Sequence, residues 1–485
     1  MRQVRSFWIL GLITALAASA CTTSPPLQRE ALTTAPQWDH ASPGDWPAPD
    51  WWQAFGTEPL NALIKQAAQA NLDLKIAVAR VNQADAQAEI AGAARLPSLA
   101  VQASQERSRN GTTTPQASRQ DHGSNSVALG LAASYQVDFW GANASTARAA
   151  VDLARASRFD RQTVALTIES QVATTYFSAV ALQERLALAR NNLGNAEHTL
   201  DAIRARAEAG IASELDIAQQ EGLVDTQRAL IPPLELQWHK AQTALAILLG
   251  QSPEGFVLPN ARLADARLPS IGAGVPATLL RRRPDIQSAE AQLASVDASL
   301  QAAEAARFPS LTLSVEAGRS GTGWSALSAP AAVFYALGGA LSQPLLDGGA
   351  IDGRIDLQRA RWQEYELLYR QRVLSAFKEV EDALVEVVQN ARQVETQTAV
   401  VQTSQRAYEI AQARLFTGTI DILTVLNTQT ALFQSQDLLL QDQLAQIQSA
   451  VQLFLALGGG WSADKDTAAQ ARAPAPAAAV ATAQP

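Results

Sequence analysis

Almost the same seven residues occur twice in the chain, as AARLPSL at 93–99 and AARFPSL at 305–311. Other short matches follow in the same order at a nearly constant spacing, such as LLG at 248–250 and ALG at 456–458. A shared order of landmarks at a constant spacing indicates a duplicated structural unit rather than a chance likeness of helical sequences. The predicted organisation is a first repeat at residues 58–260, a short linker at 261–271 and a second repeat at 272–460.

After the shared proline, each repeat changes to a strict alternation of residue types. From Val127 to Val137 the odd-numbered residues are apolar, whereas the even-numbered residues are small or polar. The second repeat alternates in the same way from Leu311 to Val315 and again from Val333. A period of two predicts strands with one apolar face and one small or polar face. The predicted β-hairpins cover residues 97–140 and 309–346.

Such strands fit either of two settings. In a soluble sandwich the apolar face is core, whereas in a membrane barrel it faces lipid and the other face meets water. Four strands in one chain cannot close a barrel, and unpaired strand edges are not tolerated in lipid. In the membrane setting, other copies of the chain have to complete the wall, so an oligomer follows from the strand count.

Long helices are predicted for the rest of each repeat. Residues 142–209 contain no proline and a single glycine, Gly194, which at ~1.5 Å per residue gives a helix of about 100 Å. Apolar or small residues recur there at alternating steps of four and three, which predicts a coiled-coil seam. The seam residues are Ile168, Val172, Thr175, Ala179, Leu182, Leu186, Ala189, Leu193, Ala196, Leu200, Ile203 and Ala207. The second repeat has a matching row: Val380, Ala383, Val387, Val394, Val401, Tyr408, Ala411 and Leu415.

Each long helix is predicted to turn back at a glycine. Gly210 and Gly418 follow the two seams, where a helix end often needs a left-handed residue. Ser213 and Asp421 then offer side-chain oxygens as N-caps for the returning helices. Pro232-Pro233 is expected to interrupt the first returning helix, because proline lacks the N–H that a helix interior uses. The predicted helical hairpins cover residues 141–250 and 349–457.

The two ends of the chain are predicted to lie outside the repeats. Residues 1–20 have a positively charged start, an apolar run too short to span a membrane and small residues before Cys21, which is typical of a signal peptide. Cys21 is the only cysteine, and its position resembles a bacterial lipobox, which implies that Cys21 is lipidated. Thr22 in the next position favours the outer membrane by the same resemblance, and a plain secretory signal is the alternative. Residues 21–57 are predicted to form an extended strap, and residues 461–485, rich in alanine and proline, a disordered tail.

Charge and motif content argue against nucleic-acid binding and against catalysis. Removal of the predicted signal peptide takes away Arg2 and Arg5, so that 36 of the 38 Lys and Arg residues remain against 46 acidic residues. This acidic balance does not favour a general nucleic-acid partner. The four histidines show no metal-ligand spacing, so no enzyme activity, cofactor or metal is expected. The Arg281-Arg282-Arg283 run is interpreted as a solvated patch ahead of a helix that begins at Pro284.

Roughly residues 50–461 resemble the outer-membrane factors, the TolC-like exit ducts of tripartite efflux pumps. The resemblance is carried by LLRRRPDI at 279–286, QPLLDGG at 343–349, the two AARxPSL elements and the two glycine turns. It implies an α+β membrane protein that forms a homotrimer. In that fold a twelve-stranded outer-membrane β-barrel, four strands from each chain, continues into a periplasmic α-barrel of long coiled-coil helices. The implied partners are a periplasmic adaptor protein, an inner-membrane transporter and outer-membrane lipid.

By the same resemblance, two helical tips are expected to contact the adaptor: Gly210, Ile211, Ala212 and Ser213, and Gly418, Thr419, Ile420 and Asp421. In relatives an acidic ring narrows the channel just beyond the second tip. The matching residues here are Thr424 and Asn427, and Asp421 is the nearest carboxylate. Because carboxylate rings bind cations, we expect a periplasmic aperture of Asp421, Thr424 and Asn427 with weaker cation block.

The resemblance predicts passive conduction of small molecules from an inner-membrane transporter to the exterior. The duct is expected to do no chemistry, and its substrate is expected to be chosen upstream. Two other readings stay open. The first is an exit duct for protein or polysaccharide, and the second is a coiled-coil surface lipoprotein without a channel.

Overall fold

The computed structural model describes residues 37–40, 46–108 and 124–461. The predicted signal peptide, Cys21 and the tail from residue 462 lie outside the described residues. In the described part of the chain, no helix is both long enough and apolar enough to cross a membrane.

Two sets of equivalent elements follow one another along the chain. The first set is α1 (Glu58–Ala70), α2 (Leu72–Ala93), β1 (Ser98–Ser108), β2 (Ser124–Val137), α3 (Ala142–Glu208) and α4 (Glu214–Leu248). The second set is α5 (Pro276–Arg282), α6 (Pro284–Ala305), β3 (Ser310–Gly321), β4 (Val333–Ser342), α7 (Ala350–Phe416) and α8 (Ile422–Ala456). The first helices of the two sets differ, with 13 residues in α1 and 7 in α5. The later equivalent helices have equal lengths, with 22 residues in α2 and α6, 67 in α3 and α7, and 35 in α4 and α8. The duplication predicted from the sequence is confirmed.

The four strands form one antiparallel sheet in the order β1-β2-β3-β4. Leu99 lies opposite Ala133, and Leu311 lies opposite Leu341, so odd-numbered residues share one face throughout the sheet. β2 also pairs with β3, which joins the two repeats into a single sheet. Within the described residues, β1 and β4 are the edges, and each has a neighbour on one side only.

The long helices pack through the predicted coiled-coil seams. Along α3 every seam residue is buried or half-buried, from Ile168 to Ala207, and the same holds for the seam of α7 from Val380 to Leu415. Ala179 and Ala196 are fully buried, and their small side chains let neighbouring helices approach closely. The alternation of four and three therefore predicted the buried face correctly.

The interruption predicted at Pro232-Pro233 is wrong, because α4 runs through both prolines from Glu214 to Leu248. Each proline removes one helical hydrogen bond, and the carbonyls that lose their donors belong to Arg228 and Ala229. Both residues are exposed, and exposed carbonyls do not need a partner within the protein because solvent can bond them. Leu234 packs with Leu186 and Ala189 of α3 and holds the helix in place just after the prolines.

The prediction that Arg281, Arg282 and Arg283 form a solvated patch is wrong for Arg283. Arg283 is buried, and its Nε and Nη2 donate to the Asp285 carboxylate at 2.9 and 2.8 Å. Its Nη1 donates to Glu379 Oε2 at 2.6 Å and to the Ala456 carbonyl at 3.1 Å. Arg283 thus ties the start of α6 to α7 and to the end of α8. The helix α6 begins at Pro284, as predicted.

An aromatic core lies where the strap residues meet the long helices. The rings of Trp51 and Phe454 stack with centroids 5.0 Å apart, and those of Phe55 and Phe177 lie 5.4 Å apart. Trp51 and Phe55 are fully buried there. Glu169 of α3 lies beside this core, and burial raises the pKa of its carboxyl to about 7.

Replacing Glu169 with glutamine is expected to stabilise the protein at neutral and alkaline pH. The folded-state pKa lies above the ordinary value of 4.5, so the folded form favours the protonated carboxyl. Ionising the buried carboxyl of Glu169 therefore destabilises the folded protein. This destabilisation is absent below about pH 4 and complete above about pH 7. Midpoints of thermal unfolding for the wild type and Glu169→Gln at about pH 5 and pH 8 test this. The gain from the substitution should be larger at the higher pH, and equal gains would contradict the assignment.

Candidate channel wall and helical tips

The sheet presents two chemically different faces. Its odd-numbered face exposes large apolar side chains, among them Leu99, Val101, Leu129, Leu131, Val315, Tyr335, Leu337 and Leu341. The even-numbered face carries mainly serine, threonine, alanine, glycine and glutamine, with Phe334 as its large apolar residue. Its charged residues in the described strands are Glu106 and Glu316. A sheet with an apolar face on one side and a face of small and polar side chains on the other suits a wall between lipid and water.

Glycines on the even-numbered face let the two central strands approach closely. Gly130 of β2 lies directly opposite Gly318 of β3, at the junction of the repeats. A Cβ atom on Gly318 would lie 2.4 Å from the Leu129 carbonyl oxygen, and one on Gly130 would lie 2.8 Å from the Ala317 oxygen. These glycines also keep side chains off the face that we assign to water.

The passage from strand to long helix is fixed by acids that the sequence analysis missed. Asp138 accepts the N–H groups of Asn143 and Ala144 at 3.1 and 2.7 Å at the start of α3. Asp347 accepts those of Ile351 and Gly349 at 2.7 and 2.9 Å at the start of α7, and these bonds lower the pKa of Asp347. An acid a few residues before a predicted helix start is the signal that could have identified both.

Both tips turn in the same way. After α3, Gly210 has φ +76°, its N–H bonds the Ala207 carbonyl at 2.9 Å, and the Ile211 N–H bonds the Arg206 carbonyl at 2.8 Å. After α7, the Gly418 N–H donates to the Leu415 carbonyl at 3.1 Å, and the Thr419 N–H donates to the Arg414 carbonyl at 3.0 Å. Paired bonds of this kind define the Schellman motif, which ends a helix at a left-handed glycine.

The predicted N-caps are both present. The Ser213 Oγ accepts the Asp216 N–H at 3.2 Å while the Asp216 carboxylate accepts the Ser213 N–H at 2.7 Å, which is a capping box. The Asp421 Oδ1 accepts the Thr424 hydroxyl at 2.6 Å and the Thr424 N–H at 3.0 Å. These two bonds lower the pKa of Asp421. The structure thus joins Asp421 to Thr424, and Asn427 is exposed on the next turn of α8.

The two tips of one chain pack against each other. The buried cluster between them contains Ile203, Leu223, Ala411, Leu415, Ile422, Val425 and Leu426. Ala212 and Ile420 are half-buried against this cluster, so two of the eight predicted tip residues face inward. The other six are exposed: Gly210, Ile211, Ser213, Gly418, Thr419 and Asp421.

Replacing Gly210 with alanine is expected to loosen the first tip. The open space around Gly210 admits a Cβ atom, but its positive φ does not suit an L-residue, at a cost of roughly 1–2 kcal/mol. Hydrogen exchange of the tip amides should accelerate in Gly210→Ala. Gly222→Ala is the matched control, since Gly222 lies in open space inside α4, where alanine is favoured by roughly 0.5–1 kcal/mol. Equal exchange rates in the two variants would contradict the strained conformation.

Among the described residues, no group of histidine, cysteine, aspartate and glutamate is arranged to hold a metal ion. The two-faced sheet and the helical hairpins instead define a class of protein, the channels of the outer membrane.

Comparison with known proteins identifies the family within this class. The family model described as outer membrane efflux protein matches residues 63–251 and 275–459. The chain belongs to this family, which is a family of transport channels, and it is an outer-membrane efflux protein.

Individual relatives match this sequence over nearly its whole length. The pyoverdine export outer membrane protein OpmQ of Pseudomonas aeruginosa is 39% identical over 469 residues, which covers 95% of this chain and 98% of the relative. The solvent efflux pump outer membrane protein SrpC of Pseudomonas putida is 31% identical over 471 residues, covering 95% of this chain and 100% of the relative. The solved structure of the outer-membrane channel OprN matches with a TM-score of 0.85 and 26% identity, covering 91% of this chain and 100% of that chain. The predicted α+β channel fold is confirmed.

Proposed function

We propose that three copies of this chain form the exit duct of a tripartite efflux pump. The observation that carries the proposal is the four-stranded sheet, which has one mainly apolar face, one face of mainly small and polar side chains and two open edges. Strand edges cannot stay unpaired in lipid, so β1 of one copy pairs with β4 of the next. Three copies of four strands give twelve strands, and a barrel of about that size encloses a water-filled lumen.

The long helices extend the duct into the periplasm. Each of α3 and α7 has 67 residues, which at ~1.5 Å per residue gives about 100 Å. The six exposed tip residues contact a periplasmic adaptor protein, which links the duct to an inner-membrane transporter. Support comes from relatives that are named as efflux pump components, such as SrpC. Lipidation of Cys21 anchors the strap to the outer membrane.

The solutes are small molecules, and the duct performs no catalysis. OpmQ is named for export of pyoverdine and SrpC for efflux of solvents. Both names refer to low-molecular-weight compounds, which supports efflux over secretion of protein or polysaccharide. The wall of such a duct needs only to be wet and smooth, and the small side chains of the even-numbered face suit that task.

The periplasmic aperture is formed by Asp421, Thr424 and Asn427. The carboxylate of Asp421 already accepts two hydrogen bonds from Thr424, which leaves it less available to a passing cation. Thr424 and Asn427 carry no charge, so millimolar divalent cations are expected to block the channel weakly from this side. Asn427→Asp should create strong block in planar bilayers, and Gln434→Asp, further along α8, is the control. Strong block of the wild type would contradict this assignment.

A deletion strain tests the function directly. Loss of the chain is expected to raise susceptibility to small toxic compounds, and the wild-type gene should restore resistance. Purified protein should also form pores in lipid bilayers. Loss of secretion of a protein with unchanged susceptibility would favour the secretion duct. A water-soluble monomer without pore formation would support the channel-free lipoprotein.

A further inference from the structure

Charged side chains are divided between the two faces of the sheet. In the described strands, the odd-numbered face carries Arg107 of β1 and Arg319 of β3, and it carries no acid. The even-numbered face carries Glu106 and Glu316 instead. Both arginines are exposed, and both belong to the face that is otherwise mainly apolar. A cation on a lipid-facing surface is costly unless it lies near the membrane interface or meets a counter-charge.

The two arginines occupy equivalent positions in the repeats. The shift of 212 residues between the starts of β1 and β3 also relates Arg107 to Arg319. The acids of the even-numbered face show no such equivalence, since the residue that corresponds to Glu106 is Gly318. Each β-hairpin therefore presents one arginine at the same level of the wall.

Aromatic residues mark the end of the wall that lies next to the helices. The rings of Trp140 and Phe308 stack with centroids 4.5 Å apart, and Trp140 Nε1 donates to the Pro309 carbonyl at 2.9 Å. Aromatic rings of this kind are typical of the boundary between membrane and water.

The distance from this boundary gives the level of Arg319. Arg319 lies eleven residues beyond Phe308, which at ~3.3 Å per residue and a strand tilt of about 40° is a height of about 28 Å. The apolar band of a membrane barrel is about 25 Å tall. Arg319 therefore lies at the far edge of this band, level with the lipid headgroups on the side away from the helices.

The segment between β3 and β4 holds the guanidinium of Arg319. Its Nη1 donates to the Leu327 carbonyl at 2.8 Å, which leaves the other N–H groups of the guanidinium available. Leu327 belongs to the short 3-10 helix Trp324–Ser328, which contacts β2 and β3. A side chain that is already fixed by one bond loses less conformational freedom when it binds a ligand.

The surroundings of Arg319 favour an amphipathic ligand. Leu129 and Val333 lie opposite Arg319 on the two neighbouring strands, and Tyr335 follows on the same face of β4. All three of these side chains are exposed. A soluble anion gains nothing from them, whereas a lipid can place its acyl chains on them and its headgroup at the arginine. Arginine binds phosphate particularly well, because its guanidinium can donate two parallel N–H groups.

We propose that Arg107 and Arg319 bind the phosphate groups of lipid headgroups in the outer leaflet of the outer membrane. The inference rests on the proposed function, which places the odd-numbered face in lipid, and it adds a specific site and the chemistry of its ligand. Two arginines in each chain give six around an assembly of three. Arg107 has no acceptor among the described residues, so the phosphate supplies its counter-charge.

Binding of lipid A, a glycolipid with a phosphorylated headgroup, tests the site. The purified oligomer in detergent is titrated with lipid A, and mass spectrometry of the intact complexes measures the bound copies. Arg107→Gln/Arg319→Gln should bind lipid A about tenfold more weakly than the wild type. Arg107→Lys/Arg319→Lys should lie between the two, because lysine keeps the charge but cannot donate two parallel N–H groups. Arg281→Gln removes an exposed arginine outside the sheet and is the matched control, which should bind like the wild type.

Lipid A stripped of its phosphates identifies the chemical group, and this comparison needs no variant. The wild type should bind the stripped lipid about as weakly as the glutamine variant binds intact lipid A. Equal affinities of the wild type and the glutamine variant for lipid A would overturn the site, and so would equal affinities of the wild type for the two lipids. Full competition by an equimolar amount of inorganic phosphate would assign the arginines to a soluble anion and overturn the lipid assignment.

Pore formation by the wild type separates this inference from the proposed function. Pores in planar bilayers, together with no preference for phosphorylated lipid A, would overturn the arginine site and leave the exit duct intact. A wild type that forms no pores in any bilayer would overturn the proposed function and, with it, the contact of these arginines with lipid.

Discussion

Replacing Arg283 with alanine is expected to remove most of the folded protein from the outer membrane. The guanidinium of Arg283 is buried and donates to Asp285, Glu379 and the Ala456 carbonyl. Its removal leaves the Asp285 carboxylate, which is only 12% exposed, without its counter-charge. Removing one partner of a buried pair typically costs about 3–5 kcal/mol, which is a large part of the stability of a protein.

The measurement is the amount of folded protein in outer-membrane fractions, together with its thermal unfolding. Arg281→Ala is the matched control, because Arg281 is an exposed arginine of the same run and should be tolerated. Arg283→Lys should rescue in part, since lysine keeps the charge but cannot bind a carboxylate with two parallel N–H groups. Equal amounts of Arg283→Ala and Arg281→Ala would show that the buried ion pair contributes little.

Placing arginine at Leu131 is expected to block insertion into the outer membrane. Leu131 lies on the apolar face in the middle of β2, between Val101 and Ala317. On the lipid face of a barrel, an arginine near the bilayer midplane costs about 2–4 kcal/mol per chain, and an assembly of three chains bears it three times. Fractionation of the membranes and protection from external protease measure insertion.

Ala132→Arg is the control at the neighbouring position. Ala132 lies on the even-numbered face, opposite Glu316, whose carboxylate can pair with the new guanidinium. This variant should insert, and it should shift the ion selectivity of the pore towards anions in planar bilayers. If both variants insert equally well, the apolar face does not meet lipid.

Local signals explain why much of the fold could be predicted from the sequence. Period-two alternation predicted the strands, and alternating steps of four and three predicted the buried seams. Gly210 and Gly418 marked the turns, and Ser213 and Asp421 marked the caps, because these roles depend on a few neighbouring residues.

The features that were missed depend on residues far apart in the sequence. The burial of Arg283 depends on Glu379, which lies 96 residues further along the chain. Trp38 bonds the Ala273 carbonyl through Nε1 and packs against Phe377. No local pattern predicts such contacts. At Pro232-Pro233, tertiary packing by the following leucine outweighed the local propensity to break the helix.

The matched lengths of the helices have a consequence for how the chain tolerates insertions. Equivalent residues of the two repeats are 212 positions apart at the start of β1 and β3, at Ser98 and Ser310, and 208 positions apart at the start of α3 and α7, at Ala142 and Ala350. The difference of four residues lies within the two β-hairpins. Four residues were gained or lost there without disturbing any helix. The segments that join β1 to β2 and β3 to β4 therefore tolerate a change in length, which suits them to the insertion of a short peptide. An insertion inside α3 or α7 would move every later seam residue out of step with its partner.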